Sequence, residues 1–339
     1  MSPSPSETPA TLSPEKIYQL ASAFQSCRIL LSAFELDIFT ALSGKPKTSQ
    51  EVAQTIRGDS RATDRLLNAL CALGFVKKEK DLFSNTETAE KFLTQGKKTY
   101  LGGLMHTVHL WDTWSTLTDA VRAGHQVASE PLEKRSPEWF EAFITAMHQR
   151  AVMAAPLSVS ALDLSNVKTL LDVGGGSGAY AMEFARAKED LKATVFDLPG
   201  VIKLTRQYVA KGGMSHRIDF MEGDYSKDEL GHGFDLIFMS AIIHSNPPEL
   251  NRELFKKIFR ALNPGGRIAV SDFVMEENRT QPFFGAIFSL NMLVGTKAGD
   301  TFTESEIKNW MAESGFSDFK SIQVPGPANM VTGKKPGHE

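Results

Sequence analysis

The chain has 339 residues, of which 42% are hydrophobic and 23% charged, and a net charge of −3. That size and mix describe a globular protein of about two domains, and the mild acidity argues against a nucleic-acid or anionic-membrane partner, which would favour a basic surface. Cys27 and Cys71 are the only cysteines, with neither a disulfide framework nor metal-ligand spacing, so a reducing, cytoplasmic setting is expected.

Residues 1–13 are rich in Pro, Ser and Thr and lack the basic start and apolar core of a signal peptide; they read as a disordered tail. Residues 15–42 place Ile17, Leu20, Phe24, Cys27, Leu31 and Phe34 at helical spacing. Thr48-Ser49-Gln50-Glu51 caps a short helix, residues 60–73 make a second that ends at Gly74, and residues 75–83 alternate and turn like a small hairpin. Helix, helix and hairpin predict a winged-helix shape within 14–99. Its second helix offers only Arg61 and Arg65, with Asp64 between them, so a structural or dimerising role is expected rather than DNA reading. The stripe Ile29, Leu30, Ala33 and Phe34 serves either the core or a partner subunit. Residues 100–155 hold two further helical stretches, 100–123 and 137–155, rich in Trp, His, Met and Phe, and read as a helical linker bordering a substrate pocket.

From residue 156 to 339 strands and helices alternate. Strands are predicted at 168–173, 192–198, 217–223, 234–242 and 267–274, with a closing pair near 319–324 and 329–333. This pattern predicts a doubly wound, Rossmann-like α/β domain with a terminal antiparallel hairpin. The longest apolar run, 283–294, is interrupted by Ser289 and Asn291 and is too short for a membrane span, so no membrane partner is expected.

The densest signal is Leu170-Leu171-Asp172-Val173-Gly174-Gly175-Gly176-Ser177-Gly178. A buried strand runs into a tight glycine turn and then a helix at 180–187. Such a turn lets backbone N–H groups and the helix N-terminus approach a nucleotide-like ligand. Gly174, Gly176 and Ala179 also satisfy the loose dinucleotide pattern, so a nicotinamide oxidoreductase is the rival. Asp172 and the Gly223-Asp224 pair disfavour it: a carboxylate beside the loop repels a pyrophosphate but suits an ammonium group, which S-adenosylmethionine carries without any phosphate. In a doubly wound sheet ligands bind beyond the carboxyl ends of the strands. That rule selects Asp197, which closes the second strand and would take ribose hydroxyls, with Leu198 beside it in the cofactor set. It selects Asp224, able to accept from an adenine amino group, and Tyr225, able to cover the ring, after the third. Ser240 joins the cofactor set at the fourth. His244 lies just past the fourth strand and Asp272 ends the fifth. A histidine with a nearby acid makes a general base whose ordinary pKa, about 6.5, lies near working pH.

The ordered set Leu170–Gly178, Asp197-Leu198-Pro199, Gly223-Asp224, His244, Asn263-Pro264-Gly265-Gly266 and Asp272 resembles the small-molecule O-methyltransferases typified by plant caffeate, acetylserotonin and bacterial antibiotic-tailoring enzymes. The resemblance covers about residues 14–333, and the N-terminal region is similar to that family's dimerisation domain. It implies that Asp172, Gly174 and Gly176 hold the methionine end of S-adenosylmethionine, Asp197 the ribose, and Asp224 and Tyr225 the adenine. It implies His244 as the catalytic base, Asp272 as the acid that orients it, and Met292 as an apolar substrate contact, with Trp114, Phe143 and Met147 lining the same pocket. A homodimer, a small-molecule substrate and no metal are expected. Two departures stand out. Ser245-Asn246 follows the base where the family usually has Asp-Trp. Residues 298–303 replace a Gly-Gly-x-Glu-Arg-Thr segment, with Thr301 at the position of its Glu and Asp300 beside it. These departures leave open a C-methyltransferase in which His244 only positions substrate. A non-catalytic S-adenosylmethionine-binding regulator is a third reading, against which the charge and the 60–73 helix weigh.

Overall fold

The computed structural model describes residues 13–128 and 136–337. The expected tail at 1–13 therefore lies almost wholly outside the described residues. The chain divides into two compact units, Met1–Val108 and His109–Glu339.

In the first unit, α1 (Pro14–Glu35) starts at Ser13, whose hydroxyl accepts the Lys16 N–H. The helix expected over 15–42 is broken. Asp37 adopts a left-handed backbone, with φ of 60°, and a short α2 (Ile38–Ala41) follows. Polar bonds hold the kink: the Asp37 carboxylate accepts from Thr40 Oγ1 at 3.1 Å and from Gln95 Nε2 at 2.9 Å. The reward is burial of Ile38 and Phe39. β1 (Lys47–Thr48) leads into α3 (Ser49–Ile56), closed by a reciprocal Thr48–Glu51 capping box. α4 (Ser60–Ala72) then precedes the hairpin β2 (Val76–Glu79) and β3 (Leu82–Asn85). β1 adds to β3, giving a three-stranded antiparallel sheet. α5 (Glu87–Phe92) closes the unit's packing, and α6 (Leu104–Ser115) spans the boundary between the units.

The second unit contains α7 (Leu117–Ala123) and the long α8 (Pro137–Ser160), which runs through Pro156 rather than ending before it. Then come β4 (Thr169–Val173), α9 (Ala179–Ala187), β5 (Lys192–Asp197), α10 (Pro199–Lys211), β6 (Ile218–Glu222) and β7 (Phe234–Ser240). A 3-10 turn at Ile243–Ser245 leads to α11 (Pro248–Ala261), β8 (Leu262–Asp272), α12 (Phe283–Gly295), α13 (Glu304–Glu313), β9 (Ser317–Ile322) and β10 (Asn329–Lys334). The sheet order is β6-β5-β4-β7-β8-β10-β9. All neighbours from β6 to β8 are parallel, and β10 pairs antiparallel with β8 and β9, as the sequence pattern requires.

Both faces of this sheet are covered, and the strands alternate between them with a period of two. Leu171, Val173, Ile237 and Met239 pack into one cluster with Leu254, Ile258 and Trp310. Leu170, Leu236 and Phe238 pack into the other with Tyr180, Phe184 and Val209. Strand order reverses between β4 and β7, so a crevice forms at their carboxyl ends. Among the described residues, no helix is long and apolar enough to cross a membrane.

Candidate active site

The turn after β4 is built from glycines for two separate reasons. Gly174, Gly176 and Gly178 have φ of 66°, 56° and 74°, which L side chains rarely adopt. Gly175 lacks room instead: a Cβ there would meet the Asp172 carboxyl carbon at 2.7 Å. Gly176 is both left-handed and open, with nothing within 4 Å of where a Cβ would sit. That open face is where a ligand can touch backbone.

Two acids border the turn. Asp172 is 1% exposed, and its Oδ2 is buried without a hydrogen-bond partner. Burial pushes its carboxyl up to about 7, against the Ala181 backbone N–H, which lowers it, while the Asp197 charge adds to the rise. Asp197, ending β5, accepts the Gly176 N–H and its neighbour Leu198 N–H, each at 2.8 Å. Burial still pushes it up to about 6. Among the described residues no ion pair balances either acid, so a positively charged ligand at the turn fits this pair. The structure thus brings Asp172, Gly174, Gly176, Asp197 and Leu198 around one loop.

Asp224 and Tyr225 follow β6. Asp224 is engaged locally, accepting from Ser226 Oγ at 2.6 Å and pairing with Lys227 at 2.8 Å. Burial would raise its carboxyl, but Lys227 and Ser226 hold it below the ordinary value. The Tyr225 hydroxyl donates to Asn246 Oδ1 at 3.0 Å, and burial pushes the phenol up to about 12. Asn246 Nδ2 donates to Asn251 Oδ1, and Asn251 Nδ2 to the Ile243 carbonyl. This relay connects the tyrosine to the turn that carries His244. Ser240 ends β7 half-buried and bonds the Tyr180 phenol.

His244 and Asp272 meet at the ends of β7 and β8. Nδ1 of His244 lies 2.7 Å from Asp272 Oδ1, with the residues 7% and 4% exposed. Asp272 Oδ1 also accepts the Phe273 N–H at 2.8 Å, which fixes the carboxylate. Phe273 stacks on the imidazole at 5.6 Å and Phe288 meets it edge-on at 4.9 Å. A carboxylate on Nδ1 holds the ring proton there and leaves the Nε2 lone pair for a substrate proton. The residues at the second departure do not bond the ring. Asp300 donates its backbone N–H to the His244 carbonyl at 2.9 Å, while its carboxylate turns to the Thr301 N–H and Arg279. Thr301 is buried, and its carbonyl accepts from Arg279.

Of the residues expected to line an acceptor pocket, Trp114 donates its Nε1–H to Asn291 Oδ1 at 2.8 Å, tying α6 to α12 next in sequence to the buried Met292. Phe143 stacks on Trp139 at 5.4 Å, and Trp139 on His109 at 6.4 Å. Met147, half-buried, lies one turn along α8 from Phe143. Sequence reasoning missed Phe273, Phe288, Asn246 and Asn251. Asn246 reads only as a departure after the histidine and Asn251 as one position of the helix that follows, and the two phenylalanines converge only through the tertiary fold.

Residues 114–317 match the pattern of an O-methyltransferase domain, and residues 18–95 that of an O-methyltransferase dimerisation domain. The chain is 32% identical over 330 residues to the tetracenomycin polyketide synthesis 8-O-methyl transferase TcmO of Streptomyces glaucescens, covering 95% of this chain and 97% of that protein. It is 30% identical over 337 residues to the 3-hydroxy-5-methyl-1-naphthoate 3-O-methyltransferase of Streptomyces sahachiroi, covering 96% and 97%. The structure of human N-acetylserotonin methyltransferase in complex with S-adenosylmethionine superposes with a TM-score of 0.81 at 26% identity, over 97% of this chain and 100% of that one.

Proposed function

The chain belongs to the O-methyltransferase family, S-adenosylmethionine-dependent enzymes, and we propose that it methylates a hydroxyl of a small aromatic molecule with His244 as general base. The bound cofactor supplies a methyl group already activated on a sulfonium sulfur. What remains for the protein is alignment and removal of one proton. His244 Nε2 takes the hydroxyl proton, Asp272 orients the ring and balances the imidazolium, and Phe273 and Phe288 shield the pair from water. Asp172, Gly174, Gly176, Asp197, Leu198, Asp224, Tyr225 and Ser240 hold the cofactor. Trp114, Phe143, Met147 and Met292 line the acceptor side.

The aromatic surround of His244 supports an aromatic acceptor, and so do the names of the two bacterial relatives, an 8-O-methyl transferase of tetracenomycin polyketide synthesis and a 3-O-methyltransferase of 3-hydroxy-5-methyl-1-naphthoate. We assign dimerisation to residues 14–99, the acceptor wall to 100–155 and cofactor binding to 156–339, in a homodimer. Cys27 and Cys71 are both free, which supports a cytoplasmic setting. The observation that carries the catalytic reading is the buried 2.7 Å contact between His244 and Asp272 at the strand ends.

The test is methyl transfer from labelled S-adenosylmethionine to a panel of phenols and hydroxynaphthoates. His244→Ala should lower turnover by roughly 10²–10⁴-fold, the usual range for a positioned base, and leave S-adenosylhomocysteine affinity unchanged. Asp272→Asn should lose less, since it accepts no substrate proton. A His244→Ala enzyme that turns over like the wild type would reduce the histidine to a positioning group.

A further inference from the structure

The glycine turn is held from a third direction that the cofactor and acceptor assignments do not use. The Gly176 peptide is clamped twice: its N–H goes to Asp197, and its carbonyl accepts from Thr205 Oγ1 of α10 at 2.6 Å. The next residue, Ser177, is 3% exposed and lies between two left-handed glycines. Backbone there is soft, because glycine on both sides removes steric restraint. Ser177 Oγ meets His148 Nδ1 at 2.8 Å, and among the described residues this is the one side-chain bond Ser177 makes. His148 is on α8, immediately after Met147 and within two turns of Phe143. The imidazole lies against the Tyr208 ring at 4.1 Å, and burial, reinforced by Lys211, holds its pKa below the ordinary value. A neutral ring at physiological pH can accept the serine proton, which a protonated ring cannot.

We propose that His148 is a positioning residue that fixes Ser177, and with it the glycine turn, in the cofactor-receiving shape. The proposal rests on the cofactor reading given above. It makes the helix of the acceptor wall and the cofactor loop one mechanical unit, so cofactor affinity is set in part from the acceptor side. A cavity of about 360 Å³ beside the ring, also lined by Met182, Arg186, Tyr208 and Lys211, leaves space for a replacement side chain.

The experiment is calorimetric titration of S-adenosylhomocysteine into the full-length protein and the variants His148→Phe, Ser177→Ala and both together. His148→Phe keeps a flat ring against Tyr208 and removes the nitrogen. Ser177→Ala removes only a hydroxyl and serves if the histidine variant fails to fold. Each single variant should bind about three- to tenfold more weakly, the size of one neutral hydrogen bond. The double variant should be no weaker than the worse single, since one shared bond is lost once. Melting of the ligand-free variants should fall by no more than the loss of that one bond accounts for. Wild-type affinity in both single variants would overturn the proposal, as would additive losses, or a lowered melting temperature with affinity intact, which is the mark of packing alone. A wild-type protein that binds no S-adenosylhomocysteine would overturn the cofactor reading as well.

Discussion

At Asp172 and Asp197 the same burial that shapes the proposed cofactor site also sets a cost that only a ligand removes. The two carboxyls are raised to about 7 and about 6. A ligand whose ammonium group meets Asp172 and whose ribose hydroxyls donate to Asp197 favours both acids ionised, so binding is linked to proton release. S-adenosylhomocysteine affinity should therefore rise as pH increases from 5 and level off above about 7. The sign for the ligand-free protein is opposite. Because the folded values exceed the unfolded ones, these acids stabilise the fold in full below the ordinary carboxyl range, and that contribution is lost as pH rises through 6 to 7. The melting shift produced by ligand should thus widen between pH 5 and pH 8. Calorimetry and thermal melts at four pH values would measure both trends. Asp172→Asn should flatten the dependence near 7 and leave the part near 6. An affinity that does not change across this range would mean that neither acid faces the ligand.

Between elements, the fit of the 3-10 turn at Ile243–Ser245 matters more than any single bond to His244. Gly299, after α12, approaches so closely that a Cβ would lie 2.4 Å from the His244 carbonyl oxygen and 3.2 Å from the Ser245 carbonyl carbon. Both are backbone atoms, which cannot rotate away. Gly299→Ala must therefore shift the turn that carries His244. Turnover should fall by on the order of 10²-fold, as for a displacement near 1 Å, with a smaller loss of S-adenosylhomocysteine affinity, carried through Ser240 and the Tyr225–Asn246 bond, because Asp172 and Asp197 lie on other strands. Steady-state kinetics beside calorimetry would separate the two; equal losses in both would place the effect on the whole fold. This contact also shows where sequence stops being legible. The βα alternation is written in apolar runs such as Leu236–Met239, whose burial on both faces of a parallel sheet needs no distant information. His244 and Asp272 are legible because strand ends collect ligands in such a sheet. Asp37 is not, since its left-handed kink depends on Gln95, far along the chain. Gly299 is not, because its constraint is the backbone of another loop. Nor is the role of Thr301 and Asp300: only the fold shows that Arg279 draws the Asp300 carboxylate away from the imidazole.

For the molecule as a whole, α1 presents an apolar stripe that changes character along its length. Leu31 and Phe34 are 3% exposed, whereas Ile17, Leu20 and Phe24, on the same stripe, are 54%, 72% and 56% exposed, and Tyr18 is 76% exposed. Three or four large apolar groups standing in water on one helix face mark an interface rather than a free surface. Residues 18–95 match a dimerisation domain, so the expected cover is a second copy around a two-fold axis, where the same patch meets itself. Light scattering should give about twice 37.3 kDa for the intact chain. Leu20→Glu with Phe24→Glu should give the monomer mass, because four carboxylates brought together across the axis cannot be buried unpaired. Circular dichroism should stay unchanged, since neither side chain is in the core of its own protomer. The variant should also keep its S-adenosylhomocysteine affinity, because every group assigned to the cofactor lies within His109–Glu339. A wild-type chain that runs as a monomer would remove the reason for the stripe. A dissociated variant that no longer binds the ligand would mean that the partner protomer helps to shape the cofactor site.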